Sequence, residues 1–304
     1  MSVLGALFGP FLGLASVAAE PSTRMAASDV GLEERFAVLF LRSPGAKMVR
    51  IAASTFRMGS TPEEVVEAFV DCQREQRGPE CDPARFANEG PVRKIALSGY
   101  FIDRTEVTVA AYDRCVELGR CSAIPFPEGA RRFDSPELPA TFVGYEDAAA
   151  YCAFRGARLP TEAEWERAAR GPGSRRYPWG NLWNGGAANH GRFAWNPTDA
   201  ADGFAELAPV GSYPAGRTRE GIDDLAGNVA EWVSDRYAAE YSATDLVNPL
   251  GPGPTQGTPE RIVRGGSWES APPFLRSATR TAVSSSTRAP TIGFRCAVSD
   301  RTGG

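Results

Sequence analysis

From residue 174 to the C-terminus the chain keeps no helical period: Trp, Gly, Asn, Asp and Pro follow one another in short units. A stretch of that length cannot be built from long helices. With 32 glycines and 24 prolines in 304 residues, turns are expected to outnumber regular elements throughout. No internal repeat and no boundary to a second domain is visible. The expected architecture is therefore one compact, loop-rich α+β domain, with six Trp, eight Tyr and sixteen Phe to supply its core. A formal net charge of -4 offers no basic field to collect phosphates, which argues against a nucleic-acid partner.

Regular elements are legible mainly before residue 174. The alternating run 49–58 ends in Gly59, as a strand entering a turn does, and 36–41 is strand-like. Residues 62–70 read as a short helix with Pro62 in its first turn, followed by a polar loop over 71–88. Residues 92–107 alternate but break at Ser98-Gly99, which predicts a hairpin or bent strand. Ala148, Tyr151, Cys152 and Arg155 share one helical face that Gly156 stops. Thr161 with Glu164 three residues on forms a capping box, opening a helix that reaches about Arg170.

The first twenty residues are apolar and end in small residues, Ala15, Ser16, Ala18 and Ala19. They read as a signal peptide, although no Lys or Arg precedes the run and Pro10 interrupts it. The run is too short and too rich in Gly for a membrane span. The competing reading is a plain apolar tail. Residues 21–47 form a linker and lead-in, and 299–304 a C-terminal tail. An even set of six cysteines fits export to the periplasm or beyond, because disulfides persist in oxidising compartments. None has the tight CxxC spacing of a zinc or redox site. Cys72 with Cys81 and Cys115 with Cys121 are the simplest local couples, leaving Cys152 and Cys296 for a long-range bridge, although other pairings of the first four stay open.

The string from Tyr151, YCAFRGARLPTEAEWERAARG, is similar to the central signature of the formylglycine-generating-enzyme (sulfatase-modifying-factor) family. Further blocks fall in that family's order: Phe56-Arg57-Met58-Gly59; Glu89-Gly90-Pro91-Val92; Phe101-Ile102-Asp103 with Glu106-Val107-Thr108 and Tyr112; Tyr177-Pro178-Trp179-Gly180; Asp224 to Trp232; and Arg264-Gly265-Gly266-Ser267-Trp268 with Gly293-Phe294-Arg295-Cys296. The resemblance spans 48–298 and implies an irregular variant of the C-type-lectin-like fold. It also implies the Cys152–Cys296 disulfide and two structural calcium sites. By resemblance, one site takes the side chains of Asn189 and Asp202 and the carbonyls of His190 and Phe204. The other takes the side chains of Asp224 and Glu231 and the carbonyls of Gly227 and Val229. Calcium favours such oxygen donors.

The family's oxidase holds copper(I) on two cysteines after the GGS element, soft ligands for a soft ion. Here that stretch reads GGSWESAPPFLRSATR, so the first cysteine position is Ser270 and the second lies near Leu275. No cysteine occurs between Cys152 and Cys296, and Ala230 stands where catalytic relatives tend to carry Trp. Copper is therefore not expected. An iron-dependent branch uses a histidine cluster, and this chain has one histidine, His190. The remaining cleft candidates are Ser267, Glu269, Ser270, Arg276 and Arg280, of which the arginines more often serve ion pairs. The expectation is an exported, calcium-stabilised protein that binds a peptide, protein or small-molecule ligand. The alternative is an oxidoreductase of the same family, acting on a protein or siderophore-type substrate through a site without cysteine.

Overall fold

The computed structural model describes residues 47–75, 81–191, 200–253 and 259–300. The expected leader over 1–20, most of the lead-in with its strand-like run at 36–41, and the end of the tail lie outside the described residues.

Strands β1 (Met48–Ile51) and β2 (Ser54–Met58) replace the single strand expected over 49–58, and β3 (Arg93–Leu97) and β4 (Tyr100–Asp103) come from the run that breaks at Ser98-Gly99. Antiparallel pairing of β2 with β3 and of β1 with β4 makes one two-stranded ribbon. It is interrupted where Ala52-Ala53 lies opposite Ser98-Gly99, and its two halves join different sheets. The outer half adds β9 (Ala297–Ser299) beside β4. Sheet membership is set by distant partners, which is why a strand pattern alone reads through the break.

The second half supplies a four-stranded sheet in the order β7 (Arg280–Ser284), β6 (Glu260–Arg264), β5 (Ala230–Arg236) and β8 (Ile292–Gly293), with β5 and β8 parallel. Among the described residues after 174, what lies outside these strands and β9 is turns, irregular stretches and short 3-10 segments, as the lost periodicity requires. Among the described residues, no helix is long and apolar enough to cross a membrane.

Helix α1 (Pro62–Glu75) starts with Pro62 behind a Thr61–Glu64 capping box and runs five residues past the expected end. A short α2 (Ala84–Ala87) interrupts the expected polar loop, and Phe86 stacks on Phe274 at 5.5 Å. Helix α3 (Val109–Glu117), capped by Thr108, was not signalled by periodicity. Helix α4 (Tyr145–Phe154) ends before Gly156, whose φ of 67° is the left-handed stop expected there.

The fold turns on α5 (Glu162–Arg170). Thr161 accepts from the Glu164 N–H and the Glu164 carboxylate accepts from the Thr161 N–H, so the predicted capping box forms. Every residue of α5 is buried, including its charged ones. Charges taken from water must be paired, and these are. Glu162 is held by both Arg280 and Arg264, Glu164 by Arg158, and Glu166 by Arg264 and Arg170. Arg167 reaches Glu220 and the Ser54 hydroxyl. The indole of Trp165 donates to Glu231 at 2.8 Å, tying α5 to β5. Three disulfides, Cys72–Cys81, Cys115–Cys121 and Cys152–Cys296, complete the frame in the simplest of the anticipated pairings.

Candidate functional site

Strand β6 ends at Arg264, fully buried and fixed by two carboxylates and the carbonyls of Ser277 and Ala278. The chain then leaves through Gly265 and Gly266, both at positive φ. A Cβ on Gly266 would lie 2.7 Å from the Leu275 side chain and 3.2 Å from the Ser270 Cβ. Ser270 and Leu275 therefore converge on one glycine, which brings together the serine at the first expected cysteine position and the residue nearest the second.

Neither side chain there carries a soft donor. The Ser270 hydroxyl oxygen accepts from the Ser267 N–H at 2.9 Å, and the Ser270 N–H donates to the Ser267 carbonyl at 2.8 Å. The two hydroxyls lie 3.4 Å apart, so the pair closes a tight turn. Leu275 is fully buried with Tyr177 and Ala226, flanked by Trp179 and Trp183. Those rings form an aromatic wall: Tyr177 stacks on Trp179 at 5.1 Å, and Trp183 meets the His190 imidazole edge-on at 5.0 Å. The Glu269 side chain stands at the surface, where partial desolvation and then Glu206 raise its pKa. Arg276 forms a buried two-pronged pair with Glu89, at 2.7 and 2.5 Å, and Arg280 another with Glu162. Both arginines are committed to the frame and stand outside the chemistry of the cleft.

The two oxygen-rich segments adjoin each other beside this cleft. The Gly191 N–H donates to the Ser270 carbonyl, and the Asn228 N–H to the Asn189 carbonyl. A Cβ on Gly227 would overlap the Asn189 carbonyl oxygen at 2.0 Å, so this close approach demands glycine. In the first segment, Asp202 accepts from the backbone N–H groups of His190 (2.6 Å) and Phe204 (3.3 Å), drawing the two ends of the segment together. The Asn189 amide nitrogen donates to the Glu206 carbonyl and to Asn228, while its Oδ1 is buried without a hydrogen-bond donor. A buried amide oxygen left free is a donor atom suited to a hard cation.

In the second segment, Asp224 (φ 59°) accepts from the Gly211 N–H, and Gly227 and Val229 are buried nearby in sequence. Glu231 differs from expectation. Its carboxylate is clasped by Arg295, at 2.6 and 2.7 Å, and by the Trp165 indole. Glu106 joins this region: it accepts from the Asn228 amide, and its carboxyl lies within hydrogen-bonding reach of Asp224. Burial raises the pKa of the Glu106 and Asp224 carboxyls, and the proximity of Asp224 adds to the rise at Glu106. Glu106, Asp224 and Glu231 thus lie around one guanidinium, that of Arg295, which is paired directly with Glu231. Among the described residues, no three His, Cys, Asp or Glu side chains are grouped to hold a metal alone, so either site must draw on amide and carbonyl oxygens. Glu106, Asn228 and Arg295 lie in the motif blocks, but spacing alone did not mark them as members of this cluster.

Residues 39–300 match the model of the sulfatase-modifying factor enzyme 1-like domain. The chain belongs to that family. It is 42% identical to a formylglycine-generating enzyme of Streptomyces coelicolor over 69% of this chain and 81% of that one. It is also 39% identical to the inactive C-alpha-formylglycine-generating enzyme 2 of Mus musculus, over 54% of this chain and 50% of that one. The structure of PvdO from Pseudomonas aeruginosa superposes with a TM-score of 0.66 at 27% identity, covering 83% of this chain and 94% of that one. The sulfatase-modifying-factor fold anticipated from the motif order is therefore the fold observed.

Proposed function

We propose that this chain is an exported, calcium-stabilised binding member of the sulfatase-modifying-factor family, whose cleft recognises a peptide, protein or small-molecule ligand. The observation that carries this reading is the meeting of Ser270 and Leu275 over Gly266. One of these side chains is tied into a turn and the other is packed among aromatic rings. A hydroxyl that is un-ionised at neutral pH and an isobutyl group give copper(I) no soft donor. The cleft retains shape and an aromatic wall, which are properties of a binding surface.

Calcium would be held in the first segment by the Asn189 Oδ1, Asp202 and the carbonyls of His190 and Phe204. In the second it would be held by Asp224 with the carbonyls of Gly227 and Val229. When bound, it would supply charge compensation and hold the two segments together. Glu231 would act through its proximity, with its charge balanced by Arg295. Support for export is the oxidised state of all six cysteines.

The decisive experiment incubates the purified protein with copper(I) and a CxPxR peptide and follows the peptide mass. No loss corresponding to aldehyde formation is expected, whereas turnover would overturn the reading.

A further inference from the structure

A cavity of about 450 Å³ opens where the β2–β3 ribbon meets the start of α5 and the loop that follows β5. It shares none of Ser267, Ser270 and Leu275 with the cleft. Its walls combine apolar surface from Met58, Tyr241 and Pro249 with the polar groups of Arg93 and Asp235. This mixture is typical of small-molecule sites.

The charge balance around Arg93 is incomplete. Its neighbours on α5 are spent: Glu162 is held by Arg280 and Arg264, and Glu166 by Arg264 and Arg170. Arg93 is 8% exposed and forms no ion pair with any described residue. One terminal nitrogen donates to the carbonyls of Ser242 and Asp245, the other reaches only the Met58 sulfur at 3.5 Å, and Nε has no partner. The guanidinium lies 4.0 Å over the Tyr241 ring, and Arg280 lies 4.1 Å over the same ring. Of the two cations stacked on this tyrosine, only Arg280 is neutralised. A buried guanidinium without a counter-charge is costly, and a carboxylate is its natural two-pronged partner.

We propose that this cavity binds a small monocarboxylate, whose carboxylate pairs with Arg93 and whose apolar body lies against Tyr241, Met58 and Pro249. A single guanidinium without an ion-pair partner among the described residues matches one negative charge, and the lining acids Glu240 and Asp245 disfavour a dianion such as phosphate. Burial, then Glu162, push the Asp235 carboxyl up to about 7, so it opposes an incoming anion little below neutrality. Glu162 and Glu164 of α5, Arg158 before α5, and Tyr145 of α4 are the other ionisable groups coupled to Asp235.

The test is calorimetric titration of the full chain with sodium benzoate, sodium acetate and sodium phosphate. The expected result is saturable binding of benzoate, tighter than acetate and tighter than phosphate, strengthening as pH falls below neutrality. Arg93→Gln should weaken benzoate binding about tenfold or more, with partial recovery in Arg93→Lys. Ala238→Leu, which narrows the cavity without touching the guanidinium, should weaken it as well and keeps the test open if Arg93→Gln fails to fold. Absence of saturable carboxylate binding, full retention in Arg93→Gln, or phosphate binding tighter than either carboxylate would overturn the proposal.

Discussion

Replacing Asp235 by asparagine should make the protein more stable above neutral pH, and the size of the gain follows from where the carboxyl sits. Asp235 is buried on β5, accepts from the Glu162 N–H at 2.8 Å and from the Ser234 hydroxyl at 3.0 Å, and has Glu162 as its nearest charge problem. Burial first, and Glu162 second, raise its pKa from 3.8 to about 7. A raised carboxyl means that the folded state keeps a proton the unfolded state has lost. Stability is therefore undiminished below about pH 4 and falls as pH climbs towards 7. A shift of about three units corresponds to about 4 kcal/mol at most. The first turn of α5 favours negative charge at its N-terminus, which makes that figure an upper bound. An asparagine Oδ1 still accepts from Glu162 and has no proton to lose. Urea denaturation of both proteins should show wild type losing stability relative to Asp235→Asn between about pH 4 and about pH 7. A difference that stays flat across that range would refute the reasoning and mean that the helix terminus carries the ionised form.

Removing the Cys152–Cys296 bridge by double alanine substitution opens a loop of 144 residues. It should cost about 5 kcal/mol by loop entropy, lowering Tm by roughly 10–20 °C in scanning calorimetry. Glu231→Ala leaves Arg295 buried without its carboxylate and should destabilise by about 3–5 kcal/mol, read by denaturant titration. Calcium chelation should lower Tm in wild type, and Asn189→Ala should reduce that response by the share of the first site, leaving the share of the second. An unchanged Tm with chelator would dismiss the proposed calcium sites.

Local chemistry was the legible part of this chain. The Thr161–Glu164 capping box, the Gly156 stop and the short cysteine couples each depend on residues a few positions apart, and each stands as read. What could not be read locally depends on distant partners. The run 49–58 divides because β1 belongs with β4 and β2 with β3. Arg276 and Arg280 looked like cleft residues until Glu89 and Glu162, more than a hundred positions away, took them. The joining of the two oxygen-rich segments through Gly227 and Asn189 is likewise a contact that spacing does not encode. At the cleft, motif order placed Ser270 and a second position near Leu275, but not the packing of both side chains against Gly266, which depends on how the turn closes.

The distribution of buried charge explains how such a cleft can carry Ser270 and Leu275 inside an intact frame. Arg155 with Asp103, Arg264 with Glu162 and Glu166, Arg276 with Glu89, Arg280 with Glu162, and Arg295 with Glu231 each join segments at least about fifty residues apart. Breaking one partner of such a pair strands the other charge in the interior, which is far costlier than the pair is stabilising. These positions therefore resist substitution on energetic grounds. Ser270 and Leu275 take part in none of the pairs: one closes its own turn and the other fills an apolar pocket. A change at either breaks none of these ion pairs, so the frame constrains the side chains at 270 and 275 far less than it constrains the paired arginines.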